Sequence, residues 1–145
     1  MGADVVFHFT GFAEMRAAAD RMVARANDGA REIVTKGAFV VQKNTVAEMG
    51  HRPGPNVITG TLARSVRIID VQPVGPGVWR SRVAPTTKYG RRIELGFGKG
   101  GSLGIDSLGR HYHQPAFPSL KPGMERSIPE LSDLATRIFE AALRG

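Results

Sequence analysis

Val57-Ile58-Thr59-Gly60-Thr61-Leu62-Ala63-Arg64-Ser65 is the stretch at which the apolar pattern of the chain changes period. Before it, apolar residues return at steps of three and four; after it they alternate, as in strands. Within it, a hydroxyl residue, a glycine and then Leu62 and Val66 four apart predict a short helical turn. A long helix joined at this point to a small sheet gives an α+β fold.

Upstream, the helical pattern runs from Phe12 to about Met49. Phe12, Met15, Ala19, Met22, Val23 and Ala26 begin one stripe that Ile33, Val34 and Val41 continue, with Arg16, Arg25, Arg31 and Lys43 on other faces. Thr10 is the predicted N-cap, and Glu14 in the first turn suits the positive helix end. Unbroken, this helix would be roughly 57 Å long. Asn27-Asp28-Gly29 and Gly37 are weak helix formers, where a bend or split is expected. A helix of this length usually completes its burial on a partner. Ahead of it, Val5-Val6-Phe7-His8-Phe9 reads as a short strand. Behind it, Gly50 is the predicted stop, and His51–Asn56, with two prolines, is a loop.

Downstream, Val66–Val71 and Val78–Val83 are predicted strands around the turn Gln72–Gly77. In the second, Arg80 and Arg82 alternate with Trp79, Ser81 and Val83, so an antiparallel hairpin with one solvated face is expected. Tyr89, Ile93 and Leu95 share a face if Lys88–Gly96 is a short helix ended by Gly96. Residues 97–114 are glycine-rich and read as a long mobile loop, with a brief strand near Arg110–His113. Gln114–Pro122 is a rigid entry to a last helix with the apolar stripe Ile128, Leu131, Leu134, Ala135, Ile138, Phe139, Leu143. Two starts fit it: near Leu120 with a kink at Pro129, or at Ser127, where Ser127-Ile128-Pro129-Glu130 has the form of a capping box.

The 145 residues make one domain, 1–145, with no internal repeat. A hydrophobic fraction of 41% beside 18 glycines and 9 prolines implies a small core with long loops, and apolar surface left for a neighbouring subunit. The chain has no cysteine, which excludes disulfides and thiolate metal sites. No apolar run approaches the roughly 20 residues of a membrane span. Met1-Gly2-Ala3-Asp4 lacks the basic start of a secretory signal, so a soluble protein made in the cytoplasm is expected. The net charge of +7 is uneven: residues 1–50 balance, and residues 51–126 carry the excess. Such a field favours an acidic protein surface or a nucleic-acid backbone.

No catalytic constellation is legible. Phe97-Gly98-Lys99-Gly100-Gly101-Ser102 has neither the spacing nor the flanking elements of a phosphate-binding loop. His111 and His113, with His8 and His51, lack a nearby acidic residue to complete a metal site. Asp70, Glu94 and Asp106 form no evident acid–base pair, and Ser65 and Ser102 have no nucleophile-elbow setting. No catalytic residue, metal or cofactor is assigned. Arg64, Arg67, Arg80, Arg82, Lys88, Arg91 and Arg92 would suit phosphate contacts. Only Trp79 and Tyr89 are near to stack on bases, which is thin for a single-strand binder.

The order of three motifs carries a resemblance across nearly the whole chain. They are Thr59-Gly60-Thr61-Leu62-Ala63-Arg64-Ser65, then Tyr89-Gly90-Arg91-Arg92-Ile93-Glu94-Leu95-Gly96, then Pro115-Ala116-Phe117-Pro118-Ser119-Leu120-Lys121-Pro122. In this the chain resembles the small tail-component family of long-tailed bacteriophages, the tail-completion or head–tail joining proteins of the neck. Gly90 departs from that family's common alanine, Phe97 from its usual threonine, and Pro118 widens the proline-rich entry. The resemblance implies a structural virion protein of the neck or tail, present in the host cytoplasm during assembly. It implies a ring homo-oligomer, often a hexamer, that contacts connector or stopper, tail-terminator or tail-tube proteins and meets DNA at most transiently through the lumen. It makes Thr59, Gly60, Leu62, Ser65, Tyr89, Ile93, Glu94, Gly96, Pro115, Phe117, Leu120 and Pro122 structural residues. Arg80, Arg82, Arg91, Arg92 and Lys99 are the candidate interface. Tyr89, Ile93 and Glu94 are expected to hold the hairpin against the long helix. On that reading Leu62→Ala or Ile93→Ala costs roughly 2–5 kcal/mol. A tail terminator and a basic nucleic-acid-binding module are the alternatives.

Overall fold

The structure, a computed structural model, describes residues 10–52, 54–55, 60–96, 108–110 and 113–144. Two long helices, α1 (Phe12–Glu48) and α4 (Leu120–Arg144), pack on a two-stranded antiparallel sheet of β1 (Val66–Gly75) and β2 (Val78–Pro85). Two short helices, α2 (Thr61–Ser65) and α3 (Gly90–Leu95), sit at the joints. The arrangement is α+β. The expected strand at Val5–Phe9, and Thr59 and Lys99, lie outside the described residues, as does most of the loop 97–114.

α1 is unbroken over 37 residues, so Asn27-Asp28-Gly29 and Gly37 neither split nor end it. Gly29 and Gly37 are buried because α4 crosses there, antiparallel. A Cβ on Gly37 would stand 2.8 Å from Leu131 Cδ2, and one on Gly29 would stand 3.6 Å from Ile138 Cγ2. The helix cap is Gly11 at φ 96° with no side-chain bond, which displaces Thr10 from the capping role. The far end closes as expected, with Met49 and Gly50 donating to Val46 and Ala47.

α4 begins at Leu120 and runs through Pro129. Ser127 is therefore not a helix cap. It is fully buried seven residues into α4, where its hydroxyl donates to Gly123 O at 2.7 Å and accepts from Asn44 Nδ2 at 3.0 Å. Glu130 reaches α1 instead of its own backbone: Oε1 accepts from Asn44 at 3.2 Å and Oε2 from Lys43 at 2.8 Å. Pro129 is tolerated because it lies on the exposed side, where the carbonyl it leaves unpaired belongs to another exposed residue, Glu125.

Both strands are longer than the alternation predicts, because pairing continues across two bulges. The register slips between Ile68 and Asp70 and between Pro73 and Gly75, leaving Ile69 and Val74 as exposed apolar residues. Pro73 thus lies in β1 opposite Trp79, not in the turn. Either strand of a two-stranded sheet is an edge, so its missing N–H is harmless. Only Pro76-Gly77 turns, with Gly77 at φ 67°, the residue pair a type II turn favours. The hairpin is tied along α1 by Trp79 Nε1 donating to Asn27 Oδ1 (3.0 Å) and Gln42 Nε2 donating to Val66 O (2.7 Å). Among the described residues the buried apolar set is small: Ala38, Met49 and Val66.

Leu62 and Ile93 are half-buried, not core residues. The expected cost of either alanine falls accordingly to about 1–2 kcal/mol, since part of each side chain is in water before and after folding. Urea unfolding of the two variants checks this.

Candidate functional site

α1 and α4 bear apolar stripes wider than their mutual contact covers. Of the α4 stripe, Leu131, Leu134, Ala135 and Ile138 are half-buried, but Ile128, Phe139 and Leu143 are exposed. On the sheet side of the helix pair an open groove of about 910 Å³ results, walled by Val34 and Val41 of α1, Val83 of β2, and Met124, Ile128 and Leu131 of α4. Met124 and Ile128 remain 46% and 56% exposed within it, so the described residues leave this surface unfilled.

The other uncovered surface is the start of α1. Gly29 faces Ile138 and Ala142 near the end of α4, so the residues from Phe12 to Val23 project past it. At about 1.5 Å per residue that projection is about 17 Å long. Phe12, Met15, Met22 and Val23, spaced to share one face, are 54–70% exposed. Groups this apolar on a projecting helix mark an interaction surface.

The described residues of the candidate basic interface divide between two elements. Arg80 and Arg82 are exposed on β2, and Arg91 and Arg92 are exposed on α3. Arg82 is matched within the hairpin: Nη2 and Nε donate to Asp70 at 2.7 and 3.1 Å, and it also lines the groove. Trp79 is committed to α1 through Asn27, with the Arg31 guanidinium 5.6 Å over its ring, so it is not free to stack on a base. His51 lies 3.9 Å from Glu48, and among the described residues no group of three or more His, Cys, Asp or Glu is placed to hold a metal. His8 and His111 lie outside the described residues. Among those residues no helix is long and apolar enough to cross a membrane.

The motif residues act locally. Gly60, at φ 72°, starts α2, and Ser65 Oγ closes that turn on Leu62 O at 2.7 Å. Tyr89 starts α3 but is 42% exposed, and Leu95 at 67% does not share a buried face with it. Glu94 does not hold the hairpin against α1. Its carboxylate accepts from Ser119 N (2.9 Å), Leu120 N (3.2 Å) and the Ser119 hydroxyl, so it caps α4. Ile93 O accepts from Phe117 N at 2.8 Å, and Phe117 lies under the Arg52 guanidinium at 4.2 Å. Pro115 is exposed, Leu120 lines the groove, and Pro122 stands in the first turn of α4, where a missing N–H costs little.

Two carboxyls titrate below their ordinary range. Asp70 is lowered by the hydrogen bond from Arg82, and Glu130 by hydrogen bonds from Lys43 and then Asn44. Unfolded, both would titrate near pH 4. Their stabilisation is therefore complete above that value and is lost as pH falls through the lower folded values. Asp70→Asn and Glu130→Gln are each expected to flatten the acid limb of stability against pH, read by urea unfolding at stepped pH.

The groove is the surface the sequence did not reveal. Its signal was present in two helical stripes broader than one helix–helix seam, but which residues the seam would consume depends on the crossing. No protein-family model matches the chain, and neither does any curated protein or solved structure.

Proposed function

We propose that this chain is a structural subunit of a homo-oligomeric ring in the neck or tail of a long-tailed bacteriophage, a tail-completion or head–tail joining part without enzymatic activity. The observation that carries this reading is the uncovered apolar surface: an open groove along α4 and a projecting apolar helix end, beside a buried apolar set that among the described residues is Ala38, Met49 and Val66. A cyclic ring is built by heterologous contacts, so each subunit needs two unlike patches. The order of the turn motif, the Tyr–Glu–Gly segment and the proline-rich entry supports the phage assignment. Its partners would be connector or stopper, terminator and tail-tube proteins. Mass spectrometry of purified virions, with negative-stain images of particles lacking the protein, tests it. The protein is expected at a few copies per particle, and its loss is expected to leave heads and tails unjoined. Absence from virions sinks the reading.

The exposed Arg80, Arg91 and Lys88 support a second reading, a nucleic-acid-binding module. Salt-titrated DNA binding separates the two, because a module built on phosphate contacts loses affinity steeply as salt rises.

A further inference from the structure

We infer that the projecting start of α1 docks in the α1–β2–α4 groove of a second copy of this chain, with Phe12, Met15, Met22 and Val23 as the inserted face. The inference rests on the ring reading above and names its contact.

Three observations choose a second copy as the occupant. The stripe and the groove belong to the same continuous helix: residues 12–23 form one end of α1, and Val34 and Val41 wall the groove near the other. A straight helix cannot fold its own first turns back onto its later ones, so within one chain the two surfaces never meet. Their lengths also agree. The groove follows α4 from Leu120 to Ala135, about 22 Å, against about 17 Å for Phe12–Val23. Finally, both surfaces are apolar and both stay uncovered on the same molecule. Each copy therefore offers what the next one lacks. An amphipathic helix laid in an apolar groove is a common recognition mode, read through anchors at steps of three and four. Phe12, Met15, Met22 and Val23 keep that spacing.

The contact is head-to-tail, because the inserted face and the receiving face are different. Repeated around an axis it closes a ring. Ala19 and Ala26, small residues on the stripe, leave room for α1 to approach Met124 and Ile128 closely.

Met22→Glu and Ile128→Glu test the inference by light scattering on the full chain. Both side chains are 56% exposed in a single chain, so neither change disturbs the protomer, and unaltered circular dichroism and melting establish that. The parent is expected to self-associate with rising concentration. Each variant alone is expected to associate about 30-fold more weakly or worse, the loss seen for a central anchor. Met22→Leu is expected to associate like the parent. The decisive result is a 1:1 mixture of the two Glu variants. The intact stripe of the Ile128→Glu chain still fits the intact groove of the Met22→Glu chain, so the mixture is expected to form a heterodimer and go no further. A parent that stays monomeric overturns the inference while leaving presence in virions open. Variants that associate like the parent, or a mixture that fails to pair, overturn the docking and leave a ring built through other surfaces.

Discussion

Gly123→Ala is expected to destabilise the fold by about 1–5 kcal/mol, while Gly29→Ala, in the facing helix, is expected to stabilise it by up to about 1 kcal/mol. Alanine is the better helix former at both positions, by roughly 1 kcal/mol, so the sign is decided by what the new methyl meets. At Gly123 it would stand 2.6 Å from Thr45 Cα and 2.7 Å from Thr45 N. Those are backbone atoms of α1, and no rotamer change relieves them. The helices must separate. Separation then stretches the Asn44–Ser127 and Asn44–Glu130 bonds, 3.0 and 3.2 Å long, and strands a buried amide. Overpacking of about 1–3 kcal/mol and an unsatisfied buried group of about 1–3 kcal/mol add in this case, because one movement causes both. At Gly29 the methyl would meet Ile138 Cγ2 at 3.6 Å, an ordinary contact that fills space. Gly37→Ala falls between them, since Leu131 Cδ2 at 2.8 Å is the end of a side chain that can turn away. Urea unfolding of the three variants should rank them in that order. Three equal effects would mean that α4 does not cross α1 where these glycines lie.

The same glycines show where sequence reasoning stopped. The helical stripes and the alternation of Trp79 to Val83 are local signals, and the long helix, the last helix and the hairpin follow from them. Gly29 and Gly37 lower helix propensity by themselves, so one strand of sequence reads them as breaks. Only the partner helix turns them into points of close approach, and that partner is about a hundred residues away. Ser127 and Glu130 fail in the same manner. Their spacing fits a capping box, yet Asn44 and Lys43 take both side chains, because α4 had already begun seven residues earlier. The start at Leu120 was in turn set by Glu94, another distant residue. As for the site, its stripe on α1 was legible and its groove was not, since a groove belongs to three elements at once.

Glu94→Ala is expected to cost about 2–4 kcal/mol, and Glu94→Gln about half of that. An α-helix starts with four backbone N–H groups that have no partner inside it. In α4 the third of these is missing at Pro122, and Gly123 N donates to Ser119 O at 3.0 Å. The Glu94 carboxylate takes Leu120 N, and also Ser119 N just before the helix. Hydrogen bonds to a charged group contribute about 1.5–3 kcal/mol each, and a negative charge at this helix end adds to them. Alanine leaves those donors open in a half-buried place, whereas glutamine keeps one acceptor and no charge. Urea unfolding gives the size of the effect, and amide hydrogen exchange gives its location: Ser119 and Leu120 should exchange faster in Glu94→Ala than amides in the middle of α1. Unchanged exchange at these two amides would sink the capping role. Gly96 completes the device from the other side. A Cβ there would lie 2.7 Å from both Ala116 N and Gln114 O, so only glycine lets the chain after α3 pass close under the entry to α4. Glutamate two residues before a glycine is therefore one structural unit, in which the glycine admits the returning segment and the carboxylate starts the helix that walls the groove.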